Sequence, residues 1–246
     1  MKKSILLLTI LGLVWNGFSN ELPLDEFIKF ARNPNAIDTY SALHGTIQHQ
    51  RRGGNTVSED LYFAMLITSN RLTGQVIIGN TEGYTIGQSR KDQNYNTTIL
   101  PMPGSGKENK LGYMGLRADD LAMGFLFYPA VKELEPAKVI VIPCRVVLLE
   151  SPDKSEQVKV YISRQHYFPL KAEFFAKGKP LDGMPDRTLE MASFAKKNNL
   201  AYPKSIKISG PGWRTRVDFD PHKAEVNELE STNPPKIMRK LESAAQ

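Results

Sequence analysis

The side chains that most often carry chemistry are few in this sequence. Its four histidines are spread along the chain, at His44, His49, His166 and His222. The first two are five residues apart, which places them on opposite faces of a strand. Because a metal ion needs its ligands on one side, this spacing does not indicate a metal site. We expect no metal in this protein.

Adjacent carboxylates at Asp119 and Asp120 are the nearest approach to an acid–base pair. Two acids also suit the first turn of a helix, where they face the positive end of the helix dipole, and we favour that interpretation. We interpret Asp186, Arg187 and Glu190 as alternating charges on the surface of a strand. None of these residues is predicted to be catalytic.

Motifs for nucleophilic catalysis and phosphate binding are also missing. The sequence contains no Gly-X-Ser-X-Gly motif, and the run Gly104–Gly106 neither follows a strand nor opens a helix, as a phosphate-binding loop would. The single cysteine, Cys144, excludes an intramolecular disulfide and a CxxC redox motif. Its place in an apolar strand favours a buried, unreactive thiol. We therefore predict no cofactor and no enzymatic activity.

The composition is that of a soluble globular protein with a substantial core. The chain has 246 residues, of which 41% are hydrophobic and 24% are charged. Lysine and arginine together number 32 against 26 acidic residues, and the basic residues do not form a stripe. Because nucleic-acid binders present clustered basic surfaces, we expect no nucleic-acid partner.

The N-terminal residues have the layout of a secretory signal peptide. Two lysines precede the uncharged apolar run Ile5–Trp15, and the small residues Gly17 and Ser19 suit a cleavage site. The apolar run is shorter than the roughly 20 residues that a bilayer span needs, although an uncleaved anchor remains an alternative. We predict a signal peptide at 1–19, cleavage near Ser19, and an exported, periplasmic, unlipidated domain at 20–246.

Most of the remaining sequence alternates between apolar and polar residues with the period of two that is typical of half-buried strands. The predicted strands include Leu61–Ile67, Val76–Ile78, Tyr84–Ile86, Val158–Ile162, Leu170–Ala176, Ile206–Ile208 and Trp213–Phe219. A further long strand is predicted over Val139–Leu149, which is apolar on both faces. Together these segments predict about ten antiparallel strands in one domain, in a sheet with one apolar face.

Helices are predicted in three places. Apolar residues recur at helical spacing in Leu24–Arg32 and Ala118–Phe127, and a third helix is predicted to begin at Asn233 with Pro234 in its first position. The Pro- and Gly-containing stretch Lys91–Lys110 is interpreted as a long loop.

A sheet of about ten strands twists strongly and tends to curl. We therefore predict a mainly β fold: an unclosed, or half, antiparallel β-barrel with helices covering its concave apolar face. That face is filled either by an ordinary packed core or by an apolar ligand, and composition leaves both alternatives open.

Six segments of the second half also resemble a known family at the level of their residues, whereas the N-terminal helix and the first strands agree with it only in type and order. The six segments are Asp119–Pro129, Cys144–Glu150, Val158–Ser163, Phe168–Phe175, Tyr202–Ile208 and Arg214–Phe219. Over about half of the chain they resemble the periplasmic outer-membrane lipoprotein-sorting family, whose best-known members are the lipoprotein carrier LolA and the receptor LolB. The chain departs from the carrier in its long Lys91–Lys110 loop. It also offers no arginine that matches the carrier's inward, lid-contacting arginine.

The resemblance implies an apolar cavity under a helical lid that binds the acyl chains of lipids or lipoproteins. It leaves an envelope membrane protein open as a second partner, and we expect a monomer. Two apolar segments of the sequence are the candidates for the cavity wall. The predicted ligand-binding residues are Leu61, Phe63, Met65, Ile67, Leu121, Met123, Phe125 and Phe127.

Three functions are compatible with the sequence. The first is a non-enzymatic lipid or lipoprotein carrier that acts in outer-membrane lipoprotein sorting. The second is an envelope regulatory or scaffold protein on the same fold, with its cavity closed by side chains. The third is a hydrolase, for which the sequence supplies no assembled nucleophile and base. An apolar pocket under the helices favours the carrier, and a filled pocket favours the scaffold.

Overall fold

The computed structural model describes residues 22–32, 37–89, 97–230 and 235–241. The predicted signal peptide at 1–19 lies outside these residues, as does the predicted start of the third helix at Asn233. Within the described ranges, no helix has both the length and the apolar character that a membrane span requires.

Thirteen strands make up the sheet of the described chain. They are β1 (Thr39–Arg51), β2 (Thr56–Ile67), β3 (Arg71–Ile78), β4 (Glu82–Ser89), β5 (Thr97–Pro101), β6 (Ala130–Val139), β7 (Ile142–Glu150), β8 (Glu156–Ser163), β9 (Pro169–Ala176), β10 (Arg187–Lys197), β11 (Leu200–Gly210), β12 (Trp213–Phe219) and β13 (Glu225–Glu228). The helices are α1 (Leu24–Arg32) and α2 (Lys110–Tyr113), with a 3₁₀ turn at Gly124–Phe127.

The sheet is antiparallel and does not close. Its order is β5-β4-β3-β2-β1-β12-β11-β10-β9-β8-β7-β6, so β5 and β6 are the two edges. The short β13 pairs with the first half of β1, whose second half pairs with β12. At the change of partner a side chain on Gly45 would place its Cβ 2.2 Å from the Asp218 carbonyl oxygen, so only glycine fits there. The predicted mainly β, unclosed antiparallel barrel is confirmed, with thirteen strands rather than about ten.

Alternation along the strands sends one set of apolar side chains to a single common core. On β8 and β9, for example, Val158 stands opposite Phe174 and Val160 opposite Ala172, and all four are buried. The same core takes in Phe27, Ile28 and Ala31 of α1, as well as most apolar residues between Leu111 and Phe127. One face of the sheet therefore wraps around α1 and the segment between β5 and β6.

Helix α1 has the predicted bounds. Its apolar residues face the core, while Asp25 and Glu26 lie in its first turn and Lys29 and Arg32 in its last, which complements the helix dipole. The predicted helix over Ala118–Phe127 is wrong, because the chain there forms successive turns that end in the 3₁₀ turn.

Two local interactions explain this difference. The Asp120 carboxylate accepts a hydrogen bond from the Arg117 backbone amide at 2.7 Å, and Met123 has the left-handed φ of +54°, which a helix interior cannot contain. We call residues 110–129, which cross the concave face, the inner segment.

Three further predictions need correction. The strand predicted over Val139–Leu149 begins three residues later, at Ile142, because the chain reverses at Ile140 and Val141 between β6 and β7. The predicted loop Lys91–Lys110 contains strand β5 and reaches the first residue of α2. Residues 235–241 do not form a helix.

That last segment instead lies across the outer face of the sheet. The Tyr62 hydroxyl donates to the Ile237 carbonyl at 2.5 Å, and the Gln75 side chain exchanges two hydrogen bonds of 2.8 Å with the Arg239 backbone. Ile237 is buried there in a small second core that includes Ala42 and Ala64. Hydrogen bonds between the backbone of this segment and the side chains of Tyr62 and Gln75 take the place of the predicted helix.

Candidate functional site

An apolar cavity of about 130 Å³ lies between the sheet, the end of α1 and the inner segment. Its wall is mostly apolar. The apolar side chains that line it are Ala31, Ile37, Leu43, Phe63, Met65, Ile67, Leu72, Leu121, Ala122, Met123, Leu126, Phe127, Phe168, Pro169, Leu200, Ala201, Pro203, Ile206, Phe219 and Val226, with Tyr40 and Tyr202 beside them. Among the described residues, the polar ones that line the cavity are Arg32, Thr39 and Ser41, together with the two tyrosines.

The structure brings most of the predicted ligand-binding residues to this cavity. Six of the eight line it, and they are Phe63, Met65, Ile67, Leu121, Met123 and Phe127. The other two, Leu61 and Phe125, do not contact it. Phe125 is buried edge-on against the Phe174 ring, with 5.4 Å between the ring centroids. Leu61 precedes the cavity residues of β2 and pairs with Ile78 of β3.

Burial divides the cavity into a floor and a mouth. Phe63, Leu121 and Phe127 are buried and form the floor. Met65 and Met123 are half-buried, and Ile37 is 40% exposed just before the start of β1. The cavity therefore opens at the end of the barrel where β1 and β11 begin and β2 ends.

Arg32 is a cavity residue that sequence reasoning did not identify. Its Nε donates to the Leu126 carbonyl at 2.9 Å and its Nη2 donates to the Tyr128 carbonyl at 3.0 Å. The guanidinium carbon also lies 5.7 Å from the centroid of the Phe127 ring. Arg32 thus joins the end of α1 to the inner segment. Arg32 follows the buried Ile28 by four residues, and this spacing, which places both on the same side of α1, could have identified it from the sequence.

A buried ion pair holds the inner segment to the far wall. Asp120 and Arg187 form a salt bridge in which the two side chains are only 2% and 10% exposed. The prediction that Arg187 is a surface charge is therefore wrong. The Arg187 guanidinium carbon lies 4.1 Å from the Phe174 ring centroid, and its Nε and Nη2 have no hydrogen-bond acceptor among the described residues.

A second charged group ties the inner segment to β8 at two points. Arg117 forms a bidentate salt bridge with Glu156, and the Tyr128 hydroxyl donates to the same carboxylate at 3.1 Å. Burial and the neighbouring Glu156 charge raise the pKa of Tyr128, so this hydroxyl remains a donor at neutral pH.

Asp119 stands between these two groups without an ion pair of its own in the described part of the chain. Burial, and then the like charge of Asp120, raise the pKa of Asp119 from 3.8 to about 6. Its side chain lies over Gly124, where a Cβ would approach its Oδ2 to 2.4 Å. The inner segment therefore carries one carboxyl group that takes up a proton in mildly acidic conditions.

The remaining candidates for chemistry are separated from each other. His49 Nδ1 lies 2.8 Å from Thr215 Oγ1 in the core, whereas His44 Nε2 lies 2.9 Å from Arg239 Nη2 on the outer face, so the predicted opposite orientation is confirmed. Cys144 is a buried free thiol, and burial raises its pKa. Within the described ranges, no three His, Cys, Asp or Glu side chains are placed to hold a metal ion.

The sequence matches no family model and no curated protein. Its fold does match solved structures. A DUF1329 family protein from Desulfovibrio piger superposes with a TM-score of 0.64 at 12% identity, over 86% of this chain and 95% of the other. An outer membrane lipoprotein-sorting protein domain from Vibrio parahaemolyticus gives 0.59 at 15% identity, over 85% and 93%. A LolA superfamily protein from Nitrosomonas europaea gives 0.55 at 12% identity, over 87% and 98%.

Identities this low establish the fold and nothing finer. The likeness nevertheless spans nearly all of each neighbour. The chain has a LolA-like fold.

Proposed function

We propose that this protein is a non-enzymatic carrier that holds the acyl chain of a lipid or lipoprotein in its apolar cavity. The observation that carries the proposal is the cavity itself, which has a buried aromatic floor, a mostly apolar wall and a mouth at one end of the barrel. Burial of a chain in such a site is favourable by about 0.8 kcal/mol for each CH₂ group removed from water.

The size of the cavity limits how much of a chain it takes without rearrangement. An engineered protein cavity of roughly 150 Å³ accommodates one benzene molecule. The 130 Å³ here therefore suits about six carbon atoms, worth roughly 5 kcal/mol before ordering costs. A longer acyl chain requires the mouth to widen, and Met65 and Met123 are the flexible side chains that are placed to allow it.

The proposed setting is the periplasm. It is supported by the predicted signal peptide at 1–19 and by the fold, which this chain shares with an outer membrane lipoprotein-sorting domain. In that setting the ligand would be an acyl chain in transit between membranes, and lipoprotein sorting is the process we propose.

Equilibrium binding of dansyl-labelled undecanoic acid tests the carrier function. We expect the wild-type protein to bind this fluorescent fatty acid. Met65→Trp, which places an indole in the mouth, should weaken binding by about tenfold or more because the probe loses apolar contact area. Met184→Trp is the matched control, since Met184 is 73% exposed in the β9–β10 connection and lies away from the cavity.

The second candidate is an envelope regulatory or scaffold protein whose cavity binds nothing. The small volume of the cavity favours it, because side chains already fill most of the concave face. Its partner would be a membrane protein of the envelope. A wild-type protein that does not bind the fatty acid, together with unaltered folding of Met65→Trp, would select this candidate over the carrier.

A further inference from the structure

The tip of the β6–β7 hairpin carries two isolated apolar side chains. Ile140 is 88% exposed and Val141 is 78% exposed, which makes them the most exposed large hydrophobic residues in the described part of the chain. They form a two-residue turn, since Val139 pairs directly with Ile142. Single exposed apolar residues are common on protein surfaces, but two adjacent ones at a projecting tip form an apolar point.

Folding does not account for these residues. Ile140 has a φ of +58°, in the left-handed region that β-branched side chains rarely adopt. Two-residue hairpin turns favour Gly, Asn or Asp at such positions. Isoleucine therefore adds backbone strain at a position where its side chain gains almost no packing, and strain at an exposed site suggests a role outside folding.

The hairpin tip projects from the same end of the barrel as the cavity mouth. Along β7, Cys144 pairs with Ser163 at the end of β8, and the next turn leads directly to Phe168 and Pro169, which line the cavity. The antiparallel order places the starts of β1 and β11 at this end as well. Thr39 and Leu200, at those starts, also line the cavity.

Cationic side chains stand directly behind the tip. Lys138 pairs with Pro143, and the Arg164 amide donates to the Pro143 carbonyl at 3.1 Å, so both cations flank the base of the turn and both are exposed. The apolar tip is thus flanked at its base by the two cationic side chains of Lys138 and Arg164, which we call the collar.

We propose that the Ile140–Val141 tip inserts into the surface of an anionic lipid bilayer. The two aliphatic side chains enter the acyl region, while Lys138 and Arg164 remain at the level of the phosphate groups. A protein pocket would accept the apolar tip without needing the collar, whereas an anionic lipid surface uses both. This orientation also turns the cavity mouth toward the membrane, although the membrane contact does not depend on the carrier function.

Vesicle flotation of the purified protein tests this contact, with phosphatidylethanolamine vesicles that contain about a quarter phosphatidylglycerol as the probe. We expect the wild-type protein to float with the vesicles. The double variant Ile140→Gly/Val141→Ser should lose about tenfold or more of its partitioning, because it removes both aliphatic side chains. Its melting temperature should be unchanged or higher, since glycine relieves the strain at residue 140.

Two controls separate membrane insertion of the tip from nonspecific adhesion and from acyl-chain binding in the cavity. Met184→Ser removes a similarly exposed apolar side chain from the opposite end of the barrel and should float like the wild type. Binding of the dansyl fatty acid in solution should be unchanged in the double variant, so a failed carrier function and a failed membrane contact give different results.

Three outcomes would overturn the proposal. One is a wild-type protein that stays in solution with these vesicles. Another is a double variant that floats as well as the wild type, which would assign binding elsewhere, such as to Arg51, Arg52 and Arg214 at the opposite end. The third is loss of binding to an envelope protein, but not to vesicles, in the double variant, which would assign the tip to a protein pocket.

Discussion

At the scale of single residues, two phenylalanines of the core distinguish a cavity wall from ordinary packing. Phe63 lines the cavity, whereas Phe125 is packed against Phe174 and does not. Both are buried, so burial alone does not separate them. The difference lies in what surrounds each ring.

Alanine substitution at these two positions should therefore have different effects. Phe125→Ala should cost about 3–5 kcal/mol of unfolding free energy, because it opens a hole in a packed core. Phe63→Ala should cost clearly less, since one side of its ring already faces the cavity, and it should weaken fatty-acid binding. Chemical denaturation of both variants measures the difference. Equal, large losses of stability without any change in binding would mean that Phe63 is ordinary core.

Asp119 gives the inner segment a pH dependence of predictable sign. Its pKa is raised in the folded protein from 3.8 to about 6, so the folded state holds this proton more tightly than the unfolded state does. Its contribution to stability is therefore fully present below about pH 4 and is lost as the pH rises through about 6.

We expect Asp119→Asn to raise the unfolding free energy at pH 7 relative to the wild type, because the variant buries no charge. This gain should shrink as the pH falls toward 4. Urea denaturation of both proteins across this range isolates the contribution of Asp119 from that of other groups. A difference that is independent of pH would contradict the raised pKa.

At the scale of elements, the inner segment is the part whose attachment matters most. Arg32 joins it to α1, Arg117 and Tyr128 join it to Glu156 on β8, and Asp120 joins it to Arg187 on β10. A segment that covers a cavity needs anchors on both sides, and these polar contacts supply them where the apolar wall cannot.

Removal of one partner of the buried pair should be strongly destabilising. We expect Arg187→Met to cost about 3–5 kcal/mol, because it leaves the Asp120 carboxylate buried without its cation. The double variant Asp120→Asn/Arg187→Met should recover a substantial part of that loss. A double-mutant cycle of unfolding free energies measures the coupling, and additive losses would show that the two side chains do not stabilise each other.

The elements that the sequence predicted well are those fixed by local patterns. Helix α1 follows from its spacing of apolar residues, and β8, β9 and β12 follow from strict alternation. The β6–β7 turn was missed because neither Ile140 nor Val141 belongs to the residue types that mark hairpin turns. Within the inner segment, Ala118–Phe127 was predicted as a helix because its apolar residues fit the helical period. The left-handed backbone conformation of Met123, which breaks that helix, gives no signal in the sequence.

Contacts between distant parts of the chain were beyond local patterns altogether. Asp120 and Arg187 are 67 residues apart, and each looks like a surface charge until the fold buries the pair. Residues 235–241 were predicted as helix, yet Gln75 and Tyr62 on distant strands hold them in a different conformation. Most of the predicted cavity residues lie together because β2 and the inner segment meet, which alternation alone could not establish.

At the scale of the whole molecule, the open sheet gives the protein two different ends. The cavity mouth and the apolar Ile140–Val141 tip share one end, whereas the arginines Arg51, Arg52 and Arg214 stand at the other. A carrier that collects its ligand from a membrane would need this arrangement, because the chain must pass from the bilayer to the cavity without crossing water.

The most direct test of the carrier function is native mass spectrometry of the protein purified from the cell envelope that produces it. The carrier function predicts a population whose mass exceeds that of the polypeptide by one lipid or acylated molecule. Gentle activation should release that mass, and Met65→Trp should reduce its occupancy while Met184→Trp leaves it unchanged. A wild-type protein that carries no such mass, and that also binds no added fatty acid, would contradict the central claim.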